Sequence, residues 1–347
     1  MEDLVLGGSD SYTTGIRQDT YYSGPSWNRY FNPDLTWEVG EKINLGLDLQ
    51  LFNDFNLTFD IFREKRRDIF MTRENSIPEI VGTGETKITS NNGEMENKGL
   101  DLAIDYNKQI TKDFFLSFKS TLTFARNKVL KMDEPPYFEY PGLSDVGHPL
   151  GTYWGYVADG LFPDQETIDN SPRQDLGYTP QPGDIKYVNQ PNAKGEYDNV
   201  INSNDRVAIG HPYDPELVYG FGPSMKWKNW DFSFFFQGVA RTSFMMYGMH
   251  PFGTTSIKNM LQFVADDHWS VDNPNPNAAY PRLTKDSNGN NDQYSTYWLR
   301  NAAFLKLKNA EIGYTYKGMR FYLSGVNLLT FSPFKHWDPE MGGGNGL

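Results

Sequence analysis

Asn44-Leu45-Gly46-Leu47-Asp48-Leu49-Gln50-Leu51, a turn at Asn53-Asp54, then Phe55-Asn56-Leu57-Thr58-Phe59-Asp60-Ile61: these two runs decide the fold. Apolar and polar residues alternate in both, and a period of two is the signature of a strand with unlike faces. Only a few residues join the runs, so they predict an antiparallel hairpin at 41–52 and 55–65. The arrangement recurs at 98–107 and 113–126 around Lys108–Lys112, at 216–228 and 230–239 around Lys228-Asn229, and at 303–316 and 319–328 around Lys317-Gly318. Tens of residues separate one pair from the next. Short connections on one side and long ones on the other are expected of an all-β chain forming a transmembrane antiparallel β-barrel.

Alternation alone leaves a rival open. A soluble sandwich turns its apolar face inward and a barrel turns it outward, yet both write the same letters. Two further features favour the barrel. The runs reach the span of about 9–11 residues that a tilted strand needs to cross a bilayer. Aromatic residues gather near the strand ends (Tyr106, Phe114, Trp227, Trp230, Tyr314, Tyr316), as an interfacial girdle requires. One strand breaks phase: Leu305 and Leu307 share a face with Asn309 and Glu311, while Lys306 and Lys308 share theirs with Ala310, Ile312 and Tyr314. A lysine facing lipid at mid-bilayer costs about 2–4 kcal/mol. A β-bulge near Asn309 is therefore expected, which would keep the apolar residues of both segments outward.

The 347 residues carry a formal net charge of −12, which argues against nucleic acid as a partner. There is no cysteine, so disulfides, zinc–thiolate sites and cysteine nucleophiles are excluded. No apolar run is long enough for a transmembrane helix. The residues after Met1 lack the form of a signal peptide and no closing strand follows Gly342, so both ends read as cut. Residues 1–38 read as loop with room for one strand.

Residues 183–210 hold the one candidate ion site. Asp184, Asp198, Asn202 and Asp205 could offer oxygens to Ca²⁺, which takes six to eight of them, although the strict calcium-loop pattern is absent. The other reading is a solvated loop rich in turn formers. Tyr153, Trp154, Tyr156 and Trp269 could present ring faces to a sugar or peptide, or could pin the long loops to one another. The five histidines show no ligand spacing, and no Ser/His/Asp arrangement or nucleophile elbow is visible.

Several phrases, taken in order, resemble the SusC/RagA type of TonB-dependent outer-membrane transporter. They are Asn32-Pro33-Asp34-Leu35-Thr36-Trp37-Glu38, His148-Pro149-Leu150-Gly151 with Tyr153-Trp154-Gly155-Tyr156, Gly183-Asp184-Ile185-Lys186-Tyr187, and Tyr280-Pro281-Arg282. The longest is Trp298-Leu299-Arg300-Asn301-Ala302-Ala303-Phe304-Leu305-Lys306-Leu307-Lys308-Asn309, followed by Gly325-Val326-Asn327-Leu328 and Asp338-Pro339-Glu340.

The resemblance implies an integral protein of the Gram-negative outer membrane. It implies one portion, the C-terminal one, of a 22-stranded barrel whose plug domain is not in this chain. It further implies TonB-powered import of an oligosaccharide or peptide beneath a SusD-like surface lipoprotein. Loops at about 66–97, 127–215 and 240–297 would then be extracellular. Asp48, Asp60, Asp101, Asp105 and Asp231 would face the lumen. No covalent chemistry is asked of these residues. The rival from another class is a secreted all-β carbohydrate-binding or carbohydrate-active module; within transport, a metal-chelate receptor is the alternative.

Overall fold

The computed structural model describes residues 3–18, 20–29, 31–73, 75, 77, 88–246, 260–284 and 287–341. Strands β1 (Asp3–Thr14) and β2 (Thr20–Arg29) pair with each other, so the first 38 residues hold a hairpin where one strand was expected. The first expected pair is β3 (Val39–Leu51) and β4 (Phe55–Thr72), and the second is β5 (Thr89–Thr111) and β6 (Phe114–Lys131). Between the second and third pairs lie short strands: β7 (Tyr153–Gly155), β8 (Ala158–Leu161), β9 (Arg173–Gln174), β10 (Ile185–Tyr187), β11 (Val200–Ile201) and β12 (Val207–Ile209). Helix α1 (Gln165–Asp169) sits among them. The third pair is β13 (Leu217–Trp227) and β14 (Trp230–Ala240). After β15 (Ser243–Met245), α2 (Gln262–Asp266) and β16 (Leu299–Asn301) comes the fourth, β17 (Phe304–Tyr316) and β18 (Met319–Phe331).

The four pairs join into one antiparallel meander of eight strands, β3-β4-β5-β6-β13-β14-β17-β18, whose two outer strands are not paired with each other. Register carries each face across the sheet. Leu47, Phe59, Leu102 and Leu122 lie side by side, as do Asp48, Thr58, Ala103 and Thr121. Among the described residues no second layer covers the apolar face: Leu47 is 49% exposed, Phe234 37% and Leu323 74%. A water-soluble sandwich would have buried these residues. Phe114, Trp227, Trp230 and Tyr314 align in register near the short turns, with Trp230 and Tyr314 rings 4.7 Å apart, so the expected girdle forms.

The expected bulge is present, one residue from the predicted position. Phe235 pairs with Asn309 and Phe236 with Leu307, so Lys308 is the extra residue. On the other side β18 makes its own adjustment, with Asn327 at φ +55°. Leu305, Leu307, Ala310 and Ile312 thereby share the apolar face. Lys306 turns to the polar face, where it is fully buried and its Nζ donates to Asp338 Oδ1 and Glu340 Oε2 at 2.5 Å each.

One loop boundary needs correction. Half of the stretch expected as loop at 66–97 is strand, because β4 runs to Thr72 and β5 begins at Thr89. At about 3.3 Å per residue, a strand of 23 residues is far longer than a bilayer requires. The charged run Arg63–Arg67 straddles the expected end of the strand at residue 65. Cross-strand ion pairs hold it extended: Arg63 with Glu96 at 2.5 Å and Lys65 with Glu94 at 3.0 Å.

Candidate functional site

The dry interior of this chain lies in the loops. A cluster of buried side chains includes Tyr156, Leu161, Ile185, Tyr187, Ile201, Phe244, Trp269, Tyr280, Trp298 and Phe334, and none of its members lies on the eight long strands. Segments from 127–215, from 240–297 and from the stretch after β18 all contribute, so the loops form one packed module. Small strand pairs give its backbone a frame: β7 with β12, β8 with β10, β15 with β16, and β9 with β11 in parallel.

Asp184 sits at the centre of this module with no exposed surface. Its Oδ1 accepts from Arg282 Nε at 2.7 Å and from the side-chain amides of Asn288 and Asn291 at 2.9 Å each. Its Oδ2 accepts from the Gln181 backbone amide at 2.8 Å. Four donors satisfy the carboxylate and one of them balances its charge, the arrangement that makes a buried acid tolerable. Burial works against the Arg282 cation, but Asp184 outweighs it and holds the guanidinium pKa above its ordinary value. Around this pair, Tyr187 donates its hydroxyl to Asn290 O at 2.8 Å and its amide to Gln174 Oε1 at 2.7 Å. Burial pushes the Tyr187 phenol far up.

Asp184 therefore does not join the other three residues expected at an ion site. Asp205 Oδ1 accepts from the Gln190 amide at 2.7 Å and Oδ2 from the Asn202 amide at 2.8 Å, while Asn202 Oδ1 accepts from the Asn204 amide. This is a capping box on the turn at Ser203–Asp205. Burial raises the Asp205 pKa, and those two amides oppose the rise. Asp198 accepts from the Val200 amide. Among the described residues no three His, Asp or Glu side chains gather in a group fit for a metal.

The loop aromatics divide. Tyr156 and Trp269 are 3% and 7% exposed within the cluster, so they are interior side chains and present no ring face to a ligand. Tyr153 packs against the cluster, and burial pushes its phenol up to about 12. Trp154 donates Nε1 to Asp145 Oδ1 at 2.6 Å and meets His148 edge-on at 5.1 Å. The packing of Tyr153, Tyr156 and Trp269 pins the loops to one another, whereas Trp154 bonds within its own loop. That packing also accounts for the glycine of Gly183-Asp184: φ is +88°, and a Cβ there would stand 2.2 Å from the Trp269 ring.

The five acids expected to line the lumen all lie on the polar face of the sheet. Asp48 accepts from Thr58 Oγ1 at 2.7 Å, Asp60 from Asn44 Nδ2 at 3.1 Å, and Asp101 from Thr123 Oγ1 at 2.6 Å. Asp105 stands 3.6 Å from Lys119, and Asp231 accepts from Arg320 Nε at 3.0 Å. Asp60 and Asp101 are direct cross-strand neighbours, a like-charge pairing that water on that face would screen. Sequence reasoning missed the Asn288, Asn290 and Asn291 cluster, whose signal was Asn-Gly-Asn-Asn at 288–291 in a long loop. A depression of about 710 Å³ opens beside that network, with Arg173, Asp175 and Tyr178 on its wall. Donors, acceptors and rings of this kind suit reversible binding.

Comparison with known proteins follows the same geometry. The family described as TonB dependent receptor-like, beta-barrel matches residues 8–328. TonB-dependent receptor P3 of Formosa agariphila is 26% identical over 93% of this chain and 32% of its own length. TonB-dependent receptor SusC of Bacteroides thetaiotaomicron is 28% identical over 94% of this chain and 32% of its own length. Among solved structures, that of the RagAB peptide transporter superposes with a TM-score of 0.70 at 21% identity, covering 99% of this chain and 36% of the other. The chain thus spans about a third of the length of the relatives it matches.

Proposed function

Because the chain belongs to the TonB-dependent receptor-like β-barrel family and so to the outer membrane, we propose that it is the C-terminal portion of an importer for an oligosaccharide or a peptide. In this reading the polar face carrying Asp48, Asp60, Asp101, Asp105 and Asp231 encloses a water-filled lumen and packs on a plug supplied by another part of the same protein. The packed loop module stands outside the cell and meets a SusD-like surface lipoprotein. TonB supplies mechanical work through the plug, so import is a gating process in which ligand and lid bias a pre-existing equilibrium.

The observation that carries this reading is the pairing of an uncovered apolar sheet face with loops that own a core. A secreted carbohydrate-binding module has no use for the first, because an apolar face of this extent in water drives aggregation. The test is growth. A strain lacking the gene that encodes this chain is supplied with a single oligosaccharide or a defined peptide mixture as carbon source. Loss of growth on one class, restored by the intact gene and not by a TonB-uncoupled version, is the expected result. Unimpaired growth and uptake on every oligosaccharide and peptide supplied would remove the proposal.

A further inference from the structure

The apolar face of the sheet changes character toward the loops. Above the row Leu45, Ile61, Leu100 and Phe124, the same face carries Ile43, Arg63, Lys98 and Arg126. The next row carries Glu41, Lys65, Glu96 and Lys128, and the register is unbroken through all three. Five cations thus face two carboxylates where the hydrocarbon band ends, in a chain whose net charge is −12.

Burial separates the charges around Lys98 and Arg126 by sign. Arg63, Lys98 and Arg126 side chains are 54%, 59% and 53% exposed, whereas Glu96, which pairs with Arg63 and Lys98, is 11% exposed. Glu216 binds Arg126 at 3.1 Å and Arg241 at 2.7 Å and is 4% exposed. Glu96 and Glu216 lie beneath their cations, while the exposed Glu41 at the far end of the row pairs with Arg67, so the surface around Lys98, Arg126 and Lys128 presents positive charge. A groove of about 560 Å³ runs along this boundary, with Ile61, Leu100 and Phe124 toward the membrane and Lys98, Arg126, Lys128 and the largely covered Glu96, already paired with Arg63 and Lys98, away from it. Gly147 and Pro149 overhang it, held by the Gly147 amide on Val129 O at 2.8 Å and the Val129 amide on His148 O at 2.9 Å.

We propose that this groove holds an anionic lipid of the outer leaflet, its headgroup phosphate on Lys98, Arg126 and Lys128 and an acyl chain along Ile61, Leu100 and Phe124. Charged donors on phosphate make the strongest hydrogen bonds available to a side chain. A free phosphate would leave the apolar end unused, and the groove opens sideways into the membrane plane. The proposal needs the barrel and its membrane and is independent of the cargo.

The test uses the full-length gene product in phosphatidylcholine nanodiscs doped with bisphosphorylated or fully dephosphorylated lipid A, with retained lipid read by native mass spectrometry. Retention of the bisphosphorylated form should exceed that of the dephosphorylated form by about tenfold or more, since each basic residue near an anionic surface is worth roughly a factor of five. The combined variant Lys98→Gln, Arg126→Gln, Lys128→Gln should lose that preference. It leaves Arg63 on Glu96 and Arg241 on Glu216, so no buried carboxylate is stranded. Equal retention of the two lipids by the unaltered protein overturns the proposal, as does an unchanged preference in a variant whose unheated gel migration shows a folded barrel. If the variant fails to fold, the lipid comparison on the unaltered protein decides alone.

Discussion

Leu47 on β3 is 49% exposed and Ile185 on β10 is 0% exposed, though both are aliphatic side chains with polar neighbours in sequence. The long strands and the loop module solve the same problem with different solvents. Strand residues leave their apolar side to lipid and satisfy their backbones through the meander. Loop residues build a dry interior, where burying an aliphatic or aromatic side chain contributes about 1.5–3 kcal/mol. A polar group there must find partners within the protein, and Asp184 finds four.

If the two regions are energetically separate, damage to one should spare the other. Asp184→Ala strands Arg282 in the module and is expected to cost about 3–5 kcal/mol. Limited proteolysis should then open sites between 127 and 297 while the barrel keeps its unheated gel mobility. Loss of barrel mobility would show that the strands depend on the loops. Leu47→Arg is the reciprocal experiment: a charge on the lipid side at mid-strand should cost about 2–4 kcal/mol. Folding into vesicles, followed by tryptophan fluorescence against urea, should report it with module protease resistance intact once inserted. Gly183→Ala adds a methyl against Trp269 at positive φ and should cost about 1–3 kcal/mol. Hydrogen exchange at Ile185 and Tyr187 should rise, with exchange at Leu100 and Leu102 unaltered.

The smallest effect is one of pH. His336 stacks on Phe263 at a ring distance of 4.0 Å, and burial, followed by the charge of Arg300, lowers its pKa. The folded module therefore resists a proton that the unfolded chain accepts. Its stabilising contribution is present above the ordinary imidazole range of about 6.5 and is lost as pH falls toward and through the depressed value. Protease resistance of the segment after β18 should decline on mild acidification, and His336→Phe should flatten the decline.

The same division explains what could be read from the letters. Alternation over 44–61 and its three counterparts located the eight strands, and the phase break at Lys306–Asn309 located the bulge, because lipid on one face imposes a period-two rule. Arg66–Thr72 and Thr89–Asn97 were not legible as strand, since outside the hydrocarbon that rule lapses and pairing rests on individual ion pairs such as Arg67 with Glu41 and Lys65 with Glu94. Asp184 was read with its chain neighbours Asp198, Asn202 and Asp205. Its three side-chain partners are 98 to 107 residues away. A packed core made of several loops leaves no period behind. Tyr156 and Trp269 carried the right chemistry for stacking on a ligand, and only the packing of distant segments turned them inward.

A shared interior also sets where this surface is free to vary. Since Tyr156, Phe244, Trp298 and Phe334 belong to one cluster, no segment that contributes a side chain to it can be shifted alone without disturbing the rest. Residues 193–199 are exposed throughout and lie outside that cluster. Such a segment can exchange its side chains, or gain new ones, while the scaffold beneath stays the same. Diversification among descendants of one ancestral gene is expected to concentrate there.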